Sequence, residues 1–333
     1  MRAPAFWTIR HGRDAAPMLR VLLTPLGWLY GASVARRLAR TVPLKLPIPV
    51  ISIGNISVGG TGKTPLAHMI RAEVSKMLGG PVAILSRGYG GTVEGPVQLD
   101  FKRHSAAEVG DEPLMLAADG PVIVSRDRGA GGQLAVTLGM RAIILDDGHQ
   151  NTALVKDLSI VVVDGHTGFG NGHLVPAGPL REPAKKGLAR ADVVIIMGAV
   201  SDDTRDDLAD YRGPVLSADL VPTATDVSGK VLGFCGIGRP DKFDMTLHGL
   251  GLDVVDMYPF PDHHPYNLAD LERLTRAAQD NDAILVTTQK DYVRLPTDFA
   301  KDVRVIHVTA QLADQGALRA RIALALDTAK ARD

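Results

Sequence analysis

From Pro47 onward, short β-branched apolar runs alternate with glycine-rich turns and amphipathic stretches. The runs at residues 50–53, 82–85, 122–124, 142–145, 160–163 and 193–197 are mostly continuous in hydrophobicity rather than alternating. That is the pattern of a parallel sheet buried on both faces. After Thr64, the apolar residues Leu66, Ile70, Val74 and Leu78 recur every four positions, which predicts a helix with one buried stripe. The expected class is α/β, a mostly parallel sheet with helices on both faces.

Residues 201–213 are acidic and polar, and Pro214, Pro222 and Gly229 punctuate the stretch that follows. This predicts a core over residues 46–215, a connection over 216–228 and a smaller C-terminal α/β domain over 229–333. Strands are expected there at 231–235, 254–258, 284–287 and 303–308. Helices are expected after Pro240, over 267–279 and from about residue 313.

The first 45 residues read differently. The uncharged run from Val21 to Ala35 contains Pro25 and is shorter than the ~20 residues a helical membrane span needs. Leu22, Leu26, Leu29 and Ser33 follow helical spacing, with Trp28 and Tyr30 nearby and arginines at both ends. Such an amphipathic helical segment either lies at a bilayer boundary or packs on the protein body.

Charge sharpens the division. Lys plus Arg and Asp plus Glu each number 37, so the formal net charge is zero. A nucleic-acid partner is therefore not expected. Within residues 1–45, however, eight basic side chains face one acid, a net of +7, and the remainder carries −7. The lone cysteine, Cys235, cannot form an internal disulfide and reads as a small buried apolar residue.

The sharpest chemical signal follows the first apolar run. The string Ser57-Val-Gly59-Gly60-Thr61-Gly62-Lys63-Thr64-Pro65 joins a predicted strand to a predicted helix. A phosphate-binding loop has this context, because backbone N–H groups and a helix N-terminus converge on phosphate oxygens. Gly59, Gly60, Thr61, Gly62, Lys63 and Thr64 are the expected nucleotide-binding residues, with Lys63 at the β and γ phosphates and the Thr64 hydroxyl on Mg²⁺. Ser57 occupies the position of the strict motif's first glycine. A second acidic centre, Asp146-Asp147-Gly148-His149-Gln150, ends the run at 142–145, where a metal-holding carboxylate belongs.

Other polar clusters are ambiguous on pattern alone: Ser86-Arg87-Gly-Tyr-Gly90, Gly110-Asp111-Glu112-Pro113, Arg181-Glu182-Pro183 and Phe260-Pro-Asp-His263-His264. Thr288-Gln-Lys290-Asp291 has the wrong order for a guanine-reading element. None of His149, His166, His173, His263 and His264 has the spacing of a structural zinc site.

Taken together and in order, these motifs resemble the tetraacyldisaccharide 4′-kinases of lipid A biosynthesis, over nearly the whole chain. Gly178-Pro-Leu-Arg-Glu-Pro183 and Gly236-Ile-Gly-Arg-Pro240 belong to the same series. The resemblance implies a P-loop NTPase-like fold and transfer of the γ-phosphate of ATP to the 4′-hydroxyl of an anionic acylated disaccharide 1-phosphate. It implies ATP and Mg²⁺ as cofactors and a peripheral, monotopic location on the cytoplasmic face of the inner membrane, reached through the N-terminal segment. No obligate protein partner is expected. Residue by residue, Asp111 resembles the catalytic aspartate with His263 as its partner, and Lys63 and Thr64 handle phosphate and Mg²⁺. Asp146, Asp147 and Glu182 resemble the acidic groups around the metal, and Arg87, Glu112 and Arg181 resemble supporting residues. The family more often has Phe where His149 stands. The competing readings are a membrane-associated P-loop ATPase switch with a protein partner and a soluble small-molecule kinase.

Overall fold

The β-branched runs do form strands, and burial on both faces is what selects them. The computed structural model describes residues 4–223 and 225–330. Its strands are β1 (Val50–Gly54), β2 (Val82–Ser86), β3 (Val97–Gln98), β4 (Val122–Val124), β5 (Ala142–Asp146), β6 (Leu158–Asp164), β7 (Val193–Met197), β8 (Val215–Pro222), β9 (Lys230–Cys235), β10 (Asp253–Pro259), β11 (Ile284–Thr288), β12 (Val303–Ile306) and β13 (Val308–Leu312). The helices are α1 (Pro17–Arg40), α2 (Lys63–Leu78), α3 (Ala106–Val109), α4 (Asp111–Ala117), α5 (Arg128–Thr137), α6 (Ala184–Leu188), α7 (Asp202–Leu208), α8 (Pro240–Gly249), α9 (Leu268–Asn281), α10 (Gln289–Tyr292), α11 (Thr297–Ala300) and α12 (Gln315–Lys330).

Nine strands form one sheet in the order β13-β8-β7-β6-β1-β5-β2-β4-β3. The pairs β13–β8 and β3–β4 are antiparallel and the others parallel. The stripe predicted on α2 is buried at Leu66, Ile70 and Val74, which pack with α12 residues Leu318 and Ile322 against one face. The opposite face is covered in part by α5, through Ala135 packed with Leu85, Ile143 and Leu145. Four parallel strands, in the order β10-β9-β11-β12, form a second sheet. Its two faces bury separate clusters, one around Phe234, Tyr266 and Leu274 and one around Val231, Phe243 and Cys235.

Sheet membership differs from the sequence-based division in two places. The stretch expected as a connection, 216–228, supplies most of β8, which pairs parallel to β7. Prolines suggested a break there, but Pro222 sits at the end of the strand, where a missing N–H is tolerated. The run expected as one strand at 303–308 is two strands in different sheets. The chain crosses back at His307, so β13 and α12 complete the nine-stranded sheet and its core.

The N-terminal helix is also longer than the uncharged run suggested. At 24 residues, α1 continues through Pro25 and through its flanking arginines. It is long and apolar enough to cross a membrane by length and composition, with 17% of its most apolar window buried. It is docked on the body through Gly27 and Gly31, which face Leu174, while Met18, Val21, Leu22, Trp28 and Leu29 are exposed.

Candidate active site

The site is built at the carboxyl ends of the central parallel strands, the crevice where open α/β sheets take ligands. Leaving β1, the chain runs through Asn55–Gly62 into α2, and Gly62 adopts a left-handed conformation (φ 80°) as the cap before Lys63. Asn55 donates from Nδ2 to the Gly59 carbonyl at 3.3 Å, closing the loop on itself. Ser57 explains the departure from the strict motif. It forms an antiparallel bridge with Leu180, an extended conformation with no need of glycine. Flanking bonds, Val58 N–H to Pro179 O and Arg181 N–H to Ile56 O, both 2.8 Å, hold the segment before α6 against this loop. Arg181 reaches the site for that reason.

On the adjacent strand β5, Asp146 is buried and Asp147, just beyond the strand end, is left-handed (φ 48°). Arg181 Nη1 donates to Asp147 Oδ2 at 2.7 Å, and Lys63 Nζ stands 3.8 Å from Oδ1. Burial opposes charge on Asp147, but Lys63 and Arg181 outweigh it and hold its carboxyl below the ordinary carboxylate range. The neighbouring Asp146 is pushed the other way, up to about 6, first by burial and then by Glu112 and Asp147. Ser86 donates to its Oδ2 at 3.1 Å. Arg128 lies beneath, donating from Nη1 to the Ser125 carbonyl, and burial lowers its guanidinium to about 10 against the opposing pull of Asp146. Arg87 is exposed in the turn after β2 and also acts on Arg128.

These residues fit Mg²⁺ bound together with a nucleotide. Among the described residues no group of three or more His, Cys, Asp or Glu side chains could hold a metal ion by itself. Nucleotide-bound Mg²⁺ needs only one or two carboxylates, because phosphate and water fill the other positions. Asp147 Oδ1 is buried and accepts no hydrogen bond, its nearest cation being Lys63 at 3.8 Å, so its lone pairs are open to a metal, and Thr64 lies in the adjoining first turn of α2. Glu182 differs from the expectation that it joins this shell. It is buried, and both its oxygens accept from Arg190 Nη2, at 2.7 and 2.8 Å. Gln150 donates to Glu182 Oε1 at 2.9 Å and accepts from Arg181 Nη1 at 3.5 Å, which links Glu182 to Arg181.

The second sheet supplies the other wall. Gly110 (φ 90°) turns the chain into α4 so tightly that a Cβ there would sit 2.3 Å from the Tyr89 carbonyl. Asp111 is thereby the first residue of α4, beside the turn that carries Arg87, with Glu112 exposed next to it. His263, itself left-handed (φ 59°), places Nδ1 2.9 Å from Asp111 Oδ2. Arg294 Nε is 3.4 Å from the same oxygen. Lys290 Nζ donates to His263 Nε2 and to Asp262 Oδ1, each at 3.1 Å. A separate crossing joins Arg239 Nη1 to Asp164 Oδ2 at 3.4 Å, at the end of β6.

Lys63, Asp146, Asp147 and Arg181 therefore meet in one cluster, Asp111 and His263 meet in a second, and Glu112 couples electrostatically to Asp146. Gln150, Ser86, Lys290 and Arg294 carry contacts that sequence reasoning did not assign. The first three stand inside the quoted motifs, which was the available signal. Arg128 and Arg190 had none. His149 and His264, to which the sequence assigns no role, each make contacts within the protein. His149 is buried with Nε2 at 3.0 Å from Gly187 O and Nδ1 at 3.3 Å from Ser159 Oγ. His264 is stacked on Phe260 and lies 2.8 Å from Asp270.

A family model described as tetraacyldisaccharide-1-P 4′-kinase matches residues 19–327. The tetraacyldisaccharide 4′-kinase of Rhodospirillum centenum is 49% identical over 314 residues, covering 93% of this chain and 92% of that one. The protein of the same name from Methylobacterium radiotolerans is 48% identical, covering 98% and 99%. A crystal structure of LpxK from Aquifex aeolicus in complex with ATP superposes with a TM-score of 0.75 at 28% identity, covering 92% of this chain and 99% of that one. With its P-loop, its paired aspartates and a match over nearly its full length, the chain belongs to the tetraacyldisaccharide-1-P 4′-kinase family.

Proposed function

We infer that this protein transfers the γ-phosphate of ATP to the 4′-hydroxyl of tetraacyldisaccharide 1-phosphate, a step of lipid A biosynthesis. The observation that carries the reading is the Asp111–His263 contact beside a P-loop, in a chain matched to the kinase family over residues 19–327. A hydrolytic switch has no need of a carboxylate held by an imidazole that the turn after β10 presents from beside the second sheet.

Each group has a role that its surroundings support. Backbone N–H groups of Gly59–Thr64 and the Lys63 ammonium bind the phosphates, and Lys63 offsets negative charge on the moving phosphoryl group. Mg²⁺, when bound with the nucleotide, neutralises phosphate charge, and Asp146, Asp147 and Thr64 are the residues that would hold it. Arg181 keeps Asp147 oriented at 2.7 Å. Asp111 takes the proton of the sugar hydroxyl as that oxygen becomes acidic in the transition state. His263 and Arg294 orient Asp111. Glu112 and Arg87 support the charge balance at the rim.

The apolar face of α1, with the basic excess of residues 1–45, supports peripheral docking on an anionic membrane surface, where an acylated substrate resides. This corresponds to the cytoplasmic face of the inner membrane.

Incubation of the full chain with labelled ATP and purified disaccharide 1-phosphate in detergent tests the reading. Label in the lipid, dependent on Mg²⁺, is expected. ATP hydrolysis with no labelled lipid would overturn it in favour of a switch.

A further inference from the structure

The contact between Lys290 and His263 carries chemical information that the Asp111–His263 pair alone does not. An ammonium group has three hydrogens to donate and no lone pair to accept with. At 3.1 Å from Lys290 Nζ, His263 Nε2 must therefore be the acceptor. The single proton of a neutral imidazole is then on Nδ1, which faces Asp111 Oδ2 at 2.9 Å. The remaining charged groups around the ring are Asp262, whose Oδ1 is 4.0 Å from Nε2, and Arg294, which faces Asp111 Oδ2 at 3.4 Å. Lys290 is bonded to Asp262 as well, so it stands between that carboxylate and the ring. Without it, Asp262 would favour a proton on Nε2.

We propose that Lys290 is a positioning residue: it fixes His263 in the Nδ1–H tautomer, so that Asp111, and not the imidazole, is the terminal acceptor of the substrate's proton. In that state the hydroxyl O–H bond breaks as the oxygen bonds to phosphorus, and the proton goes to the Asp111 carboxylate. His263 Nδ1 already carries a hydrogen, and its Nε2 lone pair is engaged by the ammonium. The left-handed backbone of His263 and the bond from its main-chain N–H to Gly236 O at 3.1 Å fix where the side chain leaves the loop, and the two contacts on Nδ1 and Nε2 fix which way the ring faces. The proposal rests on the kinase reading above and assigns a role to the Thr288–Asp291 motif, which the nucleotide site leaves unused.

The test is a pair of measurements on the full chain in detergent. In ¹H–¹⁵N spectra of histidine-labelled protein, with His263 assigned through His263→Gln, the wild type is expected to show the Nδ1–H form at neutral pH. Lys290→Met is expected to shift His263 toward an Nε2-protonated or doubly protonated ring. Its kcat should fall by ~10-fold or more with the KM for ATP changed less than about twofold, and its acid limb should move to higher pH. Lys290→Arg, which also only donates, should keep the wild-type tautomer and most of the activity. An Nε2–H ring in the wild type would overturn the proposal, as would a Lys290→Met variant with the wild-type tautomer and pH profile. Should wild-type protein transfer no phosphate to the lipid, the kinase reading fails, while the tautomer is still decided by the spectra.

Discussion

His263 Nδ1 lies 2.9 Å from Asp111 Oδ2, although 152 residues separate them, Asp111 opening α4 and His263 lying in the turn after β10 of the second sheet. The pair exists only while the two sheets face one another. Asp111→Ala is therefore expected to lower turnover by ~10²- to 10⁴-fold, the span of a lost general base, while nucleotide affinity stays within about threefold. Steady-state transfer to the lipid and titration with a fluorescent ATP analogue separate the two quantities. Equal losses in both would assign Asp111 to nucleotide binding instead.

Lys63 differs, because it faces Asp147 at 3.8 Å and, in the proposed reaction, the phosphates as well. Its removal leaves Arg181 in direct contact with that carboxylate and Arg128 acting on it from farther off. Lys63→Ala should weaken ATP binding by about tenfold and lower turnover by ~10²-fold or more. A variant with intact affinity and lost turnover would place the lysine at the transition state alone.

His149 gives a stability test with a defined sign. Burial, and then Arg190, lower its imidazole from the usual 6.5 to about 4. The unfolded chain therefore takes up this proton first, and the His149 contribution to stability, whole above pH 6.5, is lost as pH falls toward 4. The shift corresponds to something on the order of 3 kcal/mol across that window. His149→Phe removes this loss but strands the Gly187 carbonyl and the Ser159 hydroxyl, a cost of ~1–3 kcal/mol. The variant should be the less stable protein at pH 8, with the gap closing or reversing by pH 5. Asp146 has the opposite sign, gaining stability as pH falls through about 6, but it is common to both proteins and cancels in the difference. Urea midpoints at the two pH values supply the measurement.

The exposed face of α1 predicts vesicle binding. Each large apolar side chain moved out of water contributes ~1.5–3 kcal/mol, so Trp28→Ser with Leu29→Ser should weaken partition by ~100-fold or more. Flotation with vesicles containing anionic lipid checks this, and added salt should weaken the wild type as well. Protein that resists alkaline extraction from membranes would instead mark α1 as a spanning helix.

What the sequence made legible follows from the physics of each element. The strands β1, β2, β5, β6 and β7 are buried on both faces, so their hydrophobic runs are continuous and easily recognised. By contrast β8 begins by alternating exposed and buried residues and lies between prolines, which reads as a connection. Helix α5 opens Arg-Gly-Ala-Gly-Gly, which reads as a turn. Gly131 is there for close approach, since a Cβ would lie 2.6 Å from Leu85 Cδ1. Within the site, Lys63, Asp146 and Asp147 announce themselves because their roles depend on neighbours close in sequence. Lys290 and Arg294 do not, because their meaning comes from partners across the cleft.

The two crossings between the sheets have a mechanical consequence. The chain leaves the first sheet at Thr223 and returns at His307, and these points are bonded to each other, Thr223 N–H to His307 O at 2.9 Å and Thr223 Oγ1 to the same carbonyl at 3.2 Å. The second sheet is thus an insertion whose entry and exit share one pivot. That stitch holds the entering and leaving strands together where the second sheet departs from the first. His263 is therefore delivered to Asp111 by a sheet carried on one stitched pair of strands, with Arg239 to Asp164 as a further tie between the two parts.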